Sequence, residues 1–95
     1  MNLLASYETL LGLSQEMEAL ARQQAWDALT QLETQRAALL AALPATPLTA
    51  LPIDRQRAIA AKIRQIQTCD KAVLEYVLPW QEHVGKLLAR LAAKP

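Results

Sequence analysis

Residues 25–43 read AWDALTQLETQRAALLAAL and have the period of an amphipathic helix. At 100° per residue, the large apolar side chains fall in one arc of roughly 140°. Glu33 and Arg36 fall inside the same arc, which is unusual for a face that packs against other helices. This face therefore needs apolar partners that also offer polar groups. The arc contains Trp26, Leu29, Leu32, Leu39, Leu40 and Leu43.

Two neighbouring segments can supply these partners. Residues 2–22 keep apolar side chains at a spacing of three and four, which predicts a first helix. Residues 53–93 carry a longer stripe whose phase passes through Pro79 unchanged, so we predict one long helix with a kink at that proline. The stripe contains Ile59, Ile63, Ile66, Val73, Val77, Trp80, Val84, Leu87, Leu88 and Leu91.

The sequence specifies the two connections between these helices unequally. Residues 44–52, PATPLTALP, form a linker because their prolines cannot continue a helix. Residues 23–25 contain neither glycine nor proline, so a turn and one continuous helix of about 42 residues are both open. We favour the turn, partly because the apolar centre shifts by roughly 70° across this joint and partly because of the resemblance described below. We therefore expect a second helix over residues 25–43, with Trp26 as a core anchor at the joint.

The composition agrees with an all-α protein. Apolar residues make up 53% of the chain, aromatic residues only 4%, and leucine and alanine dominate. This is typical of a helical bundle and not of a β-sheet protein. We predict one domain over residues 1–95. In it, two helices of about 20 residues pack in an antiparallel bundle on one long, proline-kinked helix.

No residue pattern predicts an enzyme. His83 is the only histidine and Cys69 the only cysteine, so neither a metal site nor a paired nucleophile is indicated. The two glycines, Gly12 and Gly85, are isolated and cannot form a phosphate-binding loop. We expect no catalytic residue, no cofactor and no metal.

Charge and hydropathy narrow the expected location and partners. No stretch approaches the ~18 consecutive apolar residues of a membrane span, and no secretory leader opens the sequence. A single cysteine favours a reducing cytoplasm. Residues 1–43 carry two basic and five acidic side chains, and residues 44–95 carry eight basic and four acidic ones. The positive charges lie on opposite sides of the long helix, so we expect complementary surfaces and no nucleic-acid binding.

Three charged residues lie on apolar faces. Glu33 and Arg36 lie on the second predicted helix, and Asp70 lies in the middle of the long stripe. A lone buried charge is strongly disfavoured, so we expect Arg36 to pair with Glu33 or with Asp70. The cluster has two interpretations. It either sets the register of the helices, or it makes a charged contact inside a partner groove.

The length of the last predicted helix points to a partner. Helices of about 20 residues span ~30 Å and one of about 40 spans ~60 Å, so the half from Val73 onward should extend beyond the bundle. Its apolar stripe continues to the end, and a client helix or a second copy of the chain should cover it. If residues 23–25 do not turn, the stripe is ordinary core. The predicted partner surface contains Trp80, Val84, Leu87, Leu88 and Leu91, with Tyr76 and His83 on its rim.

Residues 7–40, YETLLGLSQEMEALARQQAWDALTQLETQRAALL, resemble the first two helices of the FliT-type flagellar export chaperones. The resemblance is carried by Leu13-Ser14-Gln15, by the stretch 21–29 with Trp26-Asp27, and by the acidic Glu33 that follows. The proline-rich linker and the long following helix also agree with the family, so the resemblance covers nearly the whole chain.

The resemblance implies a cytoplasmic chaperone of flagellar type III export. Such chaperones hold the filament-cap protein, mask its C-terminal helical segment, and deliver it to the export gate and its ATPase complex. In enteric bacteria they also restrain a flagellar transcription activator, but the positions responsible for gene regulation are not identifiable in this sequence. Two alternatives remain: a chaperone of hook–filament junction proteins, and a structural helical oligomerisation module with no client.

The sequence departs from the family in two places. Members carry a further C-terminal helix that folds back and restricts partner binding, whereas this sequence ends at Pro95, so we expect a short member without that helix. At the joint, Gln24-Ala25 stand where the family leads us to expect a glycine.

Overall fold

The computed structural model describes residues 3–45 and 47–92, and these residues form three α-helices and no strand. Helix α1 is Leu3–Arg22, α2 is Trp26–Ala41, and α3 is Ile53–Ala92. A 3₁₀ turn, Leu48–Ala50, lies in the linker before α3. The predicted all-α bundle is confirmed. The predicted ends at residues 2 and 93 lie outside the described residues, and α2 ends two residues earlier than predicted.

A turn at Gln24 separates α1 from α2, so the continuous 42-residue helix is excluded. Gln24 has a φ of 60°, in the left-handed region where glycine is usual. The amide of Ala25 donates to the carbonyl oxygen of Leu20 at 2.9 Å, and the amide of Gln24 donates to the carbonyl oxygen of Ala21 at 3.1 Å. This pair of hydrogen bonds is a Schellman motif, which satisfies the last carbonyls of α1. The backbone thus makes a glycine-type turn with a glutamine.

Helix α3 runs without interruption through Pro79. The proline removes one backbone donor and leaves the carbonyl of Glu75 without its helical partner. The unbroken apolar phase had predicted this continuity. The kink at Pro79 remains a prediction.

Helix α1 lies in the centre of the bundle. It packs against both α2 and α3, whereas α2 and α3 approach each other only through long side chains. Ser14 of α1 lies level with Asp70 of α3, and Arg22 lies level with Tyr76, so these two helices run parallel. Helix α2 runs antiparallel to both, because its start meets Trp80 and its middle meets Asp70.

One cluster of the hydrophobic core lies next to the α1–α2 joint. Met17, Ala21 and Leu29 are buried there and form one cluster. Side chains from all three helices pack around that cluster. These are Leu20, Trp26, Leu32, Val73 and Val77.

The molecule measures 64 × 21 × 20 Å along its principal axes. The long dimension matches a helix of about 40 residues at 1.5 Å per residue, so α3 sets the length of the molecule. None of the helices in the described residues is long and apolar enough to cross a membrane.

Candidate functional site

The C-terminal part of α3 extends beyond the other two helices. We call residues 81–92 the overhang. All of them are exposed except Val84, which is half-buried. Leu88 is 61% exposed and Leu91 65% exposed. Twelve residues span about 18 Å at 1.5 Å per residue, so the overhang offers about three helical turns to a partner.

The overhang begins later than the sequence predicts. Val73 and Val77 pack against the core cluster of Met17, Ala21 and Leu29, so the expected boundary at Val73 is wrong. The reason is the axial position of α1. Because α1 runs parallel to α3 and ends level with Tyr76, the joint that follows covers one to two further turns.

Trp80 marks the boundary between covered and free helix. Its ring lies 5.2 Å from the ring of Trp26, with a tilt of 43° between the planes. Such a tilted pair is a favourable aromatic geometry. Trp26 is half-buried against the core cluster, whereas Trp80 remains 42% exposed. The Trp80 ring therefore packs on Trp26 of the bundle with one part of its surface and leaves the rest exposed to solvent.

The two predicted rim residues lie in different environments. The hydroxyl of Tyr76 accepts a hydrogen bond from Nε of Arg22 at 3.4 Å, and Arg22 also pairs with Glu18 at 3.3 Å. Tyr76 thus contributes to the seam between α1 and α3. His83 lies on the overhang and is exposed.

A second surface lies between α2 and α3. Because these helices do not touch along their backbones, they leave a groove whose floor is α1. Cavities of about 260 Å³ and 350 Å³ lie along it, followed by one of about 320 Å³ at its Trp26 end. We call this the α2–α3 groove. Its apolar lining includes Leu10, Met17, Leu29, Leu40, Ile63 and Val77.

An ion pair crosses the α2–α3 groove. Nη1 of Arg36 donates to Oδ1 of Asp70 and also to Oγ of Ser14, the latter at 3.1 Å. The Arg36 side chain is 19% exposed and that of Asp70 42% exposed, so water reaches the carboxylate more than the guanidinium. Ser14 is fully buried. We call this the Arg36–Asp70 bridge.

The predicted polar cluster is only partly assembled. Arg36 and Asp70 meet, as one of the two expected pairings requires, while Glu33 is exposed and does not pair with Arg36. Glu33 instead lines the groove beside the bridge. Ser14 was not identified as a partner of Arg36, although a serine in the apolar stripe of α1 was a usable signal.

The surroundings of Cys69 do not activate its thiol. Burial raises the pKa of the Cys69 thiol, and the neighbouring carboxylate of Glu18 raises it further, so this thiol is a poor nucleophile at neutral pH. Within residues 3–45 and 47–92, no group of three or more His, Cys, Asp or Glu side chains could hold a metal ion.

Comparison with known proteins gives one match. The model of a family described as flagellar protein FliT matches residues 4–94, which is nearly the whole chain. Comparison with curated proteins and with solved structures found no match.

Proposed function

We propose that this chain, which belongs to the FliT family of flagellar proteins, is an export chaperone that holds a helical segment of the filament-cap protein. The overhang is the observation that carries the proposal. A free helix with exposed leucines at helical spacing is rare in a monomeric soluble protein. An amphipathic client helix is the kind of partner that covers such a surface.

The client would bind to the exposed side of the overhang. Leu87, Leu88 and Leu91 offer side chains that gain about 25 cal/mol for each Å² of apolar surface removed from water. Val84 lies on the same face of the helix, and Trp80 supplies an aromatic anchor where the overhang joins the bundle. Tryptophan is among the residues most enriched at binding hot spots.

This surface explains how a chaperone of this size could work. The client keeps its own assembly face buried against α3, so it cannot polymerise in the cytoplasm. Release then requires only the loss of a small interface. We propose that the client leaves this small interface when it is passed to the export gate and its ATPase complex.

A second copy of the chain is the competing occupant. Val84 and Leu91 of the overhang lie seven residues apart, a spacing typical of a coiled-coil seam. A symmetric dimer through the overhang would make the chain a structural oligomerisation module, or a dimeric chaperone that opens for its client. A hook–filament junction protein is the alternative client, because its helical segments have the same chemistry.

The test is binding of the purified filament-cap C-terminal segment, measured by calorimetry and size-exclusion chromatography. We expect Val84→Ser combined with Leu88→Ser to keep the helical circular dichroism spectrum and to weaken client binding by at least about tenfold. Ile53→Ser is the matched control, because Ile53 is 57% exposed at the opposite end of α3. This control should bind normally.

Two outcomes would contradict the proposal. If the double variant loses its helical fold, the overhang is core and not a free surface. If it binds the client as well as the control does, the client binds elsewhere. A dimer that dissociates in the double variant without any client bound to either protein would favour the structural module.

A further inference from the structure

We propose that the overhang selects its occupant by charge: it takes an amphipathic client helix with acidic side chains along one edge of its apolar stripe, in preference to the overhang of a second copy. The inference rests on the proposed function, because it names the chemistry of the client helix and chooses between the two occupants described there.

The basic side chains of the overhang lie along one edge of its apolar stripe. At 100° per residue, Val84, Leu87 and Leu91 fall within an arc of roughly 60°. The basic side chains follow on the Leu87 side of this arc, and all of them are exposed. We call this the basic edge, and it contains His83, Lys86 and Arg90.

The other edge of the stripe carries no charge. It contains Gln81, Gly85, Leu88 and Ala92. Glu82 is the only carboxylate of the overhang, and it lies on the back of the helix, about 170° from the centre of the stripe. The overhang therefore presents an apolar face with positive charge on one side only.

The two cations of the basic edge have no carboxylate partner in the part of the chain that the structure describes. The ion pairs there are Arg22 with Glu18 and Arg36 with Asp70. Glu82 lies four residues before Lys86, yet these two side chains do not pair. A helix that lies along the apolar stripe would place its own edge beside both cations, so a carboxylate on that edge could pair with them.

The helix dipole explains only part of this arrangement. Arg90 lies in the last turn of α3, where the dipole favours a positive charge. Lys86 lies about one turn earlier, where that effect has faded. Side chains four residues apart are neighbours on a helix surface, so Lys86 and Arg90 extend one positive rim beside Leu87.

The overhang of a second copy does not offer the missing carboxylates. If two overhangs pair in antiparallel orientation, the basic edge of one lies along the basic edge of the other. If they pair in parallel, the basic edge lies along the uncharged edge. The first arrangement opposes like charges and the second leaves the cations unpaired, whereas an acidic client helix compensates both of them.

The experiment uses two synthetic peptides of about 18 residues, long enough to cover the overhang. They share one leucine stripe, lack tryptophan and differ only in whether glutamates or lysines flank the stripe. Binding to the full chain is measured by calorimetry and by the fluorescence of Trp80, at the start of the overhang. We expect the glutamate peptide to bind about tenfold more tightly at low salt, and the ratio to fall towards one at about 1 M salt.

A charge reversal on the protein locates the effect. Lys86→Glu combined with Arg90→Glu should reverse the preference. Arg64→Glu combined with Lys71→Glu is the matched control and should keep it. The control also exchanges one lysine and one arginine of α3, and both of its side chains are exposed outside the overhang.

A neutral variant guards against a change in helix stability, because glutamates near the end of α3 oppose the helix dipole. Lys86→Gln combined with Arg90→Gln should keep the helical circular dichroism spectrum and bind the two peptides about equally.

The outcomes separate this inference from the proposed function. Equal binding of the two peptides to the unchanged chain, or a preference that the variants of Lys86 and Arg90 leave unchanged, overturns the inference, while binding of the filament-cap segment still supports the chaperone. A free chain that dimerises at low salt, and that Val84→Ser combined with Leu88→Ser makes monomeric, also overturns it. If the glutamate peptide binds and the filament-cap segment does not, the inference stands and the proposed client is wrong.

Discussion

The two parts of α3 have the same kind of sequence and opposite surroundings. From Ile53 to Trp80 its stripe packs against α1 and α2, and Ile59 is fully buried. From residue 81 to 92 the same apolar spacing continues, yet Val84 is the only side chain with partial cover. An apolar stripe therefore shows that a helix face needs a partner, but the lengths of the other helices decide whether the chain itself supplies that partner.

The largest expected difference between the two parts is in stability. Ile59→Ala removes fully buried methyl groups and should lower the free energy of unfolding by about 3 kcal/mol. Leu88→Ala removes an exposed side chain and should change it by less than about 0.5 kcal/mol. Urea denaturation followed by circular dichroism measures both. Similar costs for the two variants would mean that the overhang is buried in solution.

The Arg36–Asp70 bridge should matter less than the core. Arg36→Met leaves the buried Ser14 without its charged donor and leaves Asp70 unpaired, but water already reaches that carboxylate. We expect a loss of about 1–2 kcal/mol, below the 3–5 kcal/mol typical of a fully buried pair. A double-mutant cycle with Asp70→Leu isolates the pairwise part. A coupling energy near zero would show that the bridge does not help to hold α2 against α3.

The turn at Gln24 sets where the covered part of α3 ends, and it gives the smallest expected effect. Gln24→Gly relieves a side chain held at a φ of 60°. We expect a gain of about 0.5–1 kcal/mol after the greater freedom of glycine in the unfolded chain is subtracted. Gln23→Gly is the control. Gln23 is not in the left-handed region, so this variant should be less stable than the unchanged protein. A loss in Gln24→Gly would show that the glutamine side chain stabilises the turn.

The sequence predicted the helices better than their arrangement. Three prolines end α2 and define the linker, and the apolar period predicts α2 and α3, because both signals are local. The turn at Gln24 is hard to predict, since glutamine rarely takes the left-handed conformation. The burial of Val77 depends on how far α1 extends along α3, and a local sequence pattern does not carry that information.

Of the two candidate surfaces, the sequence predicts one and not the other. The exposure of Leu87, Leu88 and Leu91 follows from helix lengths that the sequence supplies. The α2–α3 groove does not, because it arises from the central position of α1. Its only local sign is the presence of Glu33 and Arg36 on an apolar face, which the sequence could not assign to a bridge or to a groove.

The central claim is that residues 81–92 form a free helix that a partner covers. Hydrogen exchange of α3, with and without the filament-cap segment, tests it most directly. In the free chain at low concentration we expect amides of residues 53–80 to be protected and those of the overhang to exchange rapidly, since a free helix end opens locally. Binding should slow exchange in the overhang selectively. Equal protection of both parts in the free chain, or an overhang that the bound client leaves unchanged, would contradict the account.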